Sequence, residues 1–156
     1  MPDEKVFKPR PGQTDYTNAR WAPVVSCVLK HGDKILIVKR SHDMKIYPNL
    51  WNGIGGFLDD EKSLEEKIKE ELEEETGISG KEIISIRYGE VFDLDDSSIG
   101  KTWVIHPALV EISTDKIVLD WEAEEYRWIE PKEVLGSDVA AGFERVVGNF
   151  FNLENN

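Results

Sequence analysis

Three glutamates, Glu71, Glu74 and Glu75, lie close together near the end of a predicted helix. At about 100° per residue, Glu71 and Glu75 project towards the apolar side of that helix, and Glu74 borders the same edge. Carboxylates that crowd against a core must take up protons, pair with cations or bind a metal. The alternative is an acidic helix whose excess glutamates are simply solvated, because short acidic runs are common.

The helix that carries these glutamates is marked at both ends. Ser63 is a good N-cap, and Glu66 three residues later completes a capping box. Gly77 suits the left-handed position that ends a helix. We therefore predict a helix over residues 64–76. Its apolar stripe, repeating every four positions, consists of Leu64, Ile68 and Leu72. Its opposite face, which we expect to be solvated, carries Glu65, Glu66, Lys69, Glu70 and Glu73.

A glycine-rich stretch precedes the helix. Residues 51–56 read WNGIGG, which we interpret as a turn suited to close approach of the backbone. Such a turn and a carboxylate cluster can offer carbonyl and carboxylate oxygens to one hard cation. Mg²⁺ prefers these oxygens and takes its remaining ligands from water and substrate phosphates. The pattern therefore indicates a divalent cation site.

Residues 56–78 resemble the Nudix box, the signature of hydrolases that cleave nucleoside diphosphates linked to another moiety. The box reads Gly-x5-Glu-x7-Arg-Glu-U-x-Glu-Glu-x-Gly-U, with U an aliphatic residue. The positions that match are Gly56, Glu71, Leu72, Glu74, Glu75, Gly77 and Ile78. Two positions depart, since Lys62 stands in place of the first glutamate and Glu70 in place of the arginine.

The resemblance implies an α/β fold, with a mixed β-sheet sandwiched between helices and the box lying beside it. It also implies that Glu71, Glu74 and Glu75, with the carbonyl of Gly55, hold Mg²⁺ or Mn²⁺ and carry out the catalysis. Family members differ over the general base. We favour Glu74 within the box. The candidates outside the box are Asp95, Asp96, Glu122 and Glu124.

The two departures leave the box without its usual cation. In the family the arginine orients the box carboxylates, whereas Glu70 reverses that charge. Lys67 is spaced to lie between Glu71 and Glu74 on the helical wheel, so we expect it to balance their charge. The arginines that compete for this role are Arg40, Arg87 and Arg127. The departures also support an alternative, a Nudix-like domain that binds and senses a nucleotide without hydrolysing it.

The predicted substrate is a small phosphorylated molecule, such as a nucleotide derivative. Arg40 ends a predicted strand and can meet a phosphate or form a surface ion pair; Gly56 and Trp51 are the other candidates for substrate binding. Aromatic faces usually recognise a base, although most aromatic residues prove to be core. The aromatic candidates are Tyr47, Trp51, Tyr88, Phe92 and Trp103. Nucleotide sugars, ADP-ribose, dinucleoside polyphosphates and oxidised nucleoside triphosphates all remain open.

Composition limits the partners. The chain has 156 residues and a formal charge of -12, which argues against binding a nucleic acid polymer. No apolar run reaches the length of a membrane span, and Cys27 is the sole cysteine, so we expect a cytoplasmic protein without membrane contact. We expect an N-terminal arm or tail at 1–20 and a single domain at 21–156. Many relatives are dimers, so a homodimer is a further expectation.

The remaining elements follow from periodicity and turn signals. Strands are predicted at 24–29, 35–40, 83–92, 103–112 and 126–129, with a loop at 93–100. A helical turn begins at 131. An amphipathic helix is predicted over 137–151, with its apolar side formed by Val139, Phe143, Val146, Val147 and Phe150.

Overall fold

The computed structural model describes residues 9–154, and a mixed sheet of eight strands organises them. The strands are β1 (Trp21–His31), β2 (Lys34–Arg40), β3 (Trp51–Asn52), β4 (Ile54–Phe57), β5 (Ile83–Tyr88), β6 (Phe92–Asp96), β7 (Lys101–Ile112) and β8 (Ala123–Ile129). The helices are α1 (Leu64–Thr76) and α2 (Phe143–Gly148), and 3₁₀ turns occupy Gly80–Glu82 and Pro131–Gly136. No helix in this part of the chain is both long and apolar enough to cross a membrane.

Strand β1 is the centre of the sheet. It runs parallel to β7 over ten residue pairs, from Trp21 opposite Thr102 to Lys30 opposite Glu111. The other strand pairs are antiparallel: the first part of β1 also pairs with β4, and its last part pairs with β2. Strands β5 and β6 both pair with β7, and β3 and β8 both pair with β2. One parallel pair within an otherwise antiparallel set makes the sheet mixed.

Each face of the sheet packs on its own apolar cluster. In β2, Ile35 and Ile37 point to one face and Leu36 and Val38 to the other, because side chains alternate along a strand. The first face packs on residues of α2, namely Phe143, Val146 and Val147. The second packs on the apolar stripe of α1, which includes Ile68 and Leu72. The sheet between two helical layers confirms the predicted α/β architecture.

Helix α1 begins and ends where the sequence predicts. The Ser63 hydroxyl accepts a hydrogen bond from the Glu66 N–H at 3.2 Å, and the Glu66 carboxylate accepts one from the Ser63 N–H at 3.0 Å. Gly77 has φ of 75° and donates its N–H to the Glu73 carbonyl at 3.0 Å. The predicted capping box and left-handed stop are therefore both confirmed.

Two predictions about strands were wrong. Residues 51–56 are not a turn, since they form β3 and most of β4. The predicted strand 83–92 ends at Tyr88, and β6 begins at Phe92 and extends into the predicted loop. Both segments pair with β7, and the Gly89 N–H bonds the Pro107 carbonyl at 2.9 Å where the chain bends between them.

The predicted helix at 137–151 was also too long, because α2 spans only Phe143–Gly148. The backbone just before it extends alongside Trp51. Trp51 donates its N–H to the Asp138 carbonyl at 2.9 Å, and Ala140 donates to the Trp51 carbonyl at 2.8 Å. Gly142 then takes φ of 89°, which resets the chain direction before the helix begins.

The described part of the N-terminal segment, residues 9–20, packs on its own chain. The Thr14 N–H donates to the Asp59 carbonyl at 2.6 Å. The buried Lys101 ammonium donates to the carbonyls of Tyr16, Thr17 and Ala19 at 2.5, 3.1 and 2.6 Å. The rest of the predicted arm, residues 1–8, lies outside the described residues.

Candidate functional site

The last turns of α1 lie against strand β4, and glycine at position 56 allows this close contact. A side chain there would bring its Cβ to 2.5 Å from Glu71 Oε1. Gly55 precedes it on β4 and pairs with Ser26 of β1. The close backbone approach that the glycines predict is therefore present, although it occurs in a strand and not in a turn.

Glu71 and Glu75 share a hydrogen bond beside this strand. Burial raises the pKa of Glu71 to about 7, with a further contribution from the negative charge of Glu74. Burial raises the pKa of Glu75 well above its usual range, and the charges of Glu122 and Glu71 act in the same direction. Glu75 Oε2 is buried and has no hydrogen-bond partner among residues 9–154. A buried oxygen without a partner requires a proton or a cation.

Glu122 is the outside candidate that the structure brings to this cluster. It lies just before β8, where its carbonyl accepts from the Ser41 N–H at 2.8 Å. Burial and the neighbouring Asp120 charge raise the pKa of Glu122 to about 7, although the positive charge of Arg40 opposes this. The sequence analysis did not predict Asp120 as a site residue, although Asp120 lies in the same acidic segment as Glu122 and could have been found from that position.

The other outside candidates contact residues that are not part of the carboxylate cluster. Glu124 accepts a hydrogen bond from the His42 N–H at 3.0 Å. Asp95 pairs with Arg20 at 2.9 Å, and Asp96 accepts from the Tyr47 hydroxyl at 2.5 Å.

Glu70 does not lie on a solvated face, contrary to the prediction. Carboxylate oxygens of Glu70, Glu71 and Glu74 all lie within 4.8 Å of one another. The Glu74 side chain is exposed, and burial followed by the Glu70 charge raises the pKa of Glu74. The last two turns of α1 therefore carry one more carboxylate near the site than the box requires.

The two departures from the box contact each other. Lys62 Nζ lies 2.8 Å from Glu70 Oε2, so a cation from the position of the family's glutamate pairs with an anion from the position of its arginine. The hydrogen bond with Lys62 is the main cause that lowers the pKa of Glu70. The two positions have exchanged charges relative to the box, and their side chains form an ion pair in this chain.

Lys67 is buried among carboxylates, with a side chain that is 5% exposed. Its ammonium lies 3.1 Å from Asp59, 3.3 Å from Asp60 and 3.2 Å from Glu70. Glu71 is 4.0 Å away. Burial alone would lower the pKa of Lys67, but its contacts with Asp59 and Glu70 outweigh burial and raise it. Lys67 therefore lies beside the cluster, and Asp59 and Asp60 are partners that the helical wheel did not predict.

The competing arginines differ in where they lie. Arg40 donates its Nε–H to the Ile46 carbonyl at 2.9 Å, and no other hydrogen bond of its guanidinium is present within residues 9–154. Burial lowers the pKa of Arg40, while the charges of Glu122 and Glu75 oppose that shift. Arg87 stacks over Phe150 instead, on another part of the surface.

A cavity of about 160 Å³ opens beside Glu75. Its lining includes Glu75, Arg40, Gly55 and Gly56. Its aromatic wall consists of Tyr47, Phe57 and Trp103. A carboxylate, a guanidinium and two glycines therefore share one opening with flat apolar surfaces, as in many small-molecule sites.

The aromatic wall is held by a short chain of hydrogen bonds. The Trp103 indole N–H donates to the Tyr47 hydroxyl at 3.0 Å, and that hydroxyl donates to Asp96 at 2.5 Å. Burial and this bond to Asp96 raise the pKa of Tyr47 to about 12. Phe57 lies against Trp103, with ring centroids 6.0 Å apart.

Three aromatic candidates lie outside the cavity lining. Trp51 is 8% exposed in the core, with the Arg127 guanidinium 4.6 Å above its ring. Phe92 is also buried in the core, and Tyr88 is exposed on β5. Of the residues predicted to bind substrate, the structure brings Arg40 and Gly56 to the cavity but not Trp51.

The residues present fit a divalent cation. All the candidate ligands offer hard oxygen atoms, which Mg²⁺ and Mn²⁺ prefer. The unpartnered Glu75 Oε2 and the raised pKa of Glu71 both indicate a cluster that lacks positive charge. Gly55, Glu71, Glu74 and Glu75 would hold the cation.

Comparison with known proteins identifies the fold and the family. A solved structure with the same fold is a MutT Nudix hydrolase from Burkholderia pseudomallei, with a TM-score of 0.72 and 19% identity; the match covers 84% of this chain and 98% of that one. A MutT protein from Methanosarcina mazei has a TM-score of 0.70 and 20% identity, and the match covers 85% of this chain and 94% of that one. The NUDIX domain of Shewanella oneidensis NrtR complexed with ADP ribose has a TM-score of 0.69 and 20% identity, and the match covers 94% of this chain and 93% of that one. A search of curated proteins found no match. The family model of the NUDIX domain matches residues 20–148, so the chain belongs to the Nudix family of hydrolases.

Proposed function

We propose that the chain is a divalent-metal-dependent hydrolase that cleaves the pyrophosphate bond of a nucleoside diphosphate-linked small molecule by attack of water on phosphorus. The observation that carries this proposal is the buried, unpartnered Glu75 Oε2 next to a cavity that Arg40 also lines. Glu75 provides a carboxylate oxygen that requires a cation, and Arg40 provides a guanidinium that can bind phosphate in the same cavity.

The residues of the chain have distinct roles in this proposal. Glu71, Glu74, Glu75 and the Gly55 carbonyl provide the oxygen ligands. A divalent cation, when bound, neutralises charge that develops on the phosphates and lowers the pKa of a bound water. The free N–H groups of Arg40 donate to a phosphate oxygen, since its Nε–H alone is engaged by the protein.

Glu74 remains our choice for the general base. Its side chain is exposed, and burial of part of the group and the Glu70 charge raise the pKa of Glu74, which makes its carboxylate a stronger base. Glu122 is the alternative, because it faces the same cluster from the segment before β8. Comparing the pH dependence of kcat in Glu74→Gln and Glu122→Gln distinguishes the two.

The aromatic wall is our proposed site for the organic part of the substrate. Tyr47 and Trp103 are fixed by their mutual hydrogen bond, so their faces are available without further ordering. A planar base can stack there while its phosphates reach Arg40 and the glutamates. ADP-ribose, which the Shewanella oneidensis domain binds, is a reasonable first compound to test.

The direct test is release of phosphorylated products from a panel of nucleoside diphosphate derivatives, with Mg²⁺, with Mn²⁺ and with EDTA. Metal-dependent cleavage of at least one compound supports the proposal. Tight binding of a nucleotide without cleavage would instead favour the sensor alternative. The contact between Lys62 and Glu70 weighs against that alternative, because the departures that suggested it compensate each other's charge.

A further inference from the structure

We propose that Asp59 is a positioning residue that holds Lys67 away from Glu71 and so leaves the Glu71 carboxylate free for a divalent cation. The inference rests on the proposed metal-dependent function. It concerns two residues that do not themselves bind the metal, and a loop that lies between β4 and α1.

The distances around Lys67 carry the inference. An ammonium group has three N–H donors. Here three carboxylates lie within hydrogen-bond distance of it: Asp59 at 3.1 Å, Asp60 at 3.3 Å and Glu70 at 3.2 Å. Glu71, at 4.0 Å, is too far for a hydrogen bond. The lysine therefore offsets the negative charge of Glu71 without occupying its oxygens.

Asp59 is itself held firmly. The Gln13 amide donates to its second carboxylate oxygen at 2.9 Å, and the Thr14 N–H donates to its carbonyl at 2.6 Å. Its neighbour Asp60 accepts from Arg10 at 3.0 Å. Gln13, Thr14 and Arg10 precede residues 20–148, the part that matches the family model. This support of the loop comes from a part of the chain that the family match does not include.

Loss of the Asp59 charge changes what Lys67 can contact. One of its three donors loses its charged acceptor, and Glu71 lies one helical turn away as the nearest other carboxylate. A shift of about 1 Å brings that pair to hydrogen-bond distance. A divalent cation then has to displace the ammonium before it can bind Glu71.

The test is a double-mutant cycle of Asp59→Asn and Lys67→Met, each alone and both together in the full chain, with Mn²⁺ affinity measured by calorimetric titration without substrate. Asp59→Asn should weaken Mn²⁺ binding by about tenfold, the usual size of effects from residues behind metal ligands. Asp59→Asn combined with Lys67→Met should recover most of that loss, because the competing ammonium is gone. The matched control is Lys69→Met, an exposed lysine of the same helix, which should bind as the wild type does.

The outcomes separate the two proposals. Wild-type protein that binds no Mn²⁺ overturns the proposed function. Wild-type binding with unchanged affinity in Asp59→Asn overturns the positioning role alone. A double variant that stays as weak as Asp59→Asn also overturns it, since loop damage would not be relieved by removing Lys67. If Asp59→Asn does not fold, Asp60→Asn removes the second partner of the same ammonium, and the same rescue by Lys67→Met is expected.

Discussion

The substitution Glu71→Gln should stabilise the metal-free protein at alkaline pH. Glu71 is largely buried, with a side chain 14% exposed, and its neighbours are mostly acidic. Glu71→Gln keeps the shape of the side chain and removes its charge. The shared hydrogen bond with Glu75 can persist, because a glutamine amide donates to a carboxylate.

The size of the effect follows from the pKa. Burial raises the pKa of Glu71 from 4.5 to about 7. Between these pH values the folded protein binds a proton that the unfolded chain has released, so wild-type stability falls as the pH rises. Each pKa unit corresponds to about 1.4 kcal/mol, which gives about 3 kcal/mol above pH 7. Glutamine does not titrate and avoids this loss, so the variant gains about 3 kcal/mol at pH 8 and nothing at pH 4.5.

Thermal unfolding in EDTA at pH 4.5 and pH 8 measures this difference. For a domain of this size, about 3 kcal/mol corresponds to a rise in Tm of roughly 6–12 °C at pH 8. Glu73→Gln, on the exposed face of the same helix, is the control and should not change the Tm at either pH. A variant that melts with the wild type at pH 8, or that gains as much at pH 4.5, would refute the reasoning. With Mn²⁺ present, the wild type alone should gain stability by mass action.

Three further predictions concern residues around Glu71. Glu70→Arg should lower both the Tm and the turnover, because the new guanidinium faces Lys62 and Lys67; melting curves and steady-state kinetics test this. At saturating Mn²⁺, where metal affinity no longer limits the rate, Lys67→Ala should lower turnover by about tenfold and Lys69→Ala by much less, because only Lys67 lies beside Glu71. Gly56→Ala should abolish the rise in Tm caused by Mn²⁺, since its Cβ would lie 2.5 Å from Glu71 Oε1; an unchanged rise would mean that the glycine is not required.

The parts of the fold that the sequence predicted are those set by local chemistry. Helix α1 depends on Ser63, Glu66 and Gly77, which all lie within or next to it, and it was predicted to the residue. Strand β2 is apolar on both of its faces, so a continuous apolar run was enough to predict it as a strand. The helical wheel also placed Glu71 and Glu75 correctly towards the core, because direction around a helix depends only on spacing.

The errors come from contacts with residues outside each predicted element. Residues 137–142 have helix-like apolar spacing, but their backbone bonds Trp51, about ninety positions earlier, and so remains extended. Glu70 points away from the apolar stripe of α1. Its carboxylate nevertheless reaches Lys62, which precedes the helix and therefore has no place on the helical wheel. A helical wheel gives the direction of each side chain around the helix, but it does not show which residues of a neighbouring loop contact that side chain.

The position of Lys62 and Glu70 changes how the imperfect box should be interpreted. Taken singly, each departure places the wrong charge at a position where the family has the opposite one, and each suggests a damaged site. In the folded chain the two side chains form one ion pair at 2.8 Å, and Glu70 also accepts from Lys67. Lys67 is the cation nearest to Glu71, and its partners Asp59 and Asp60 fall outside the positions that the box specifies. The acidic ligand set has therefore kept a neighbouring positive charge by a different route, which is why we favour catalysis over sensing.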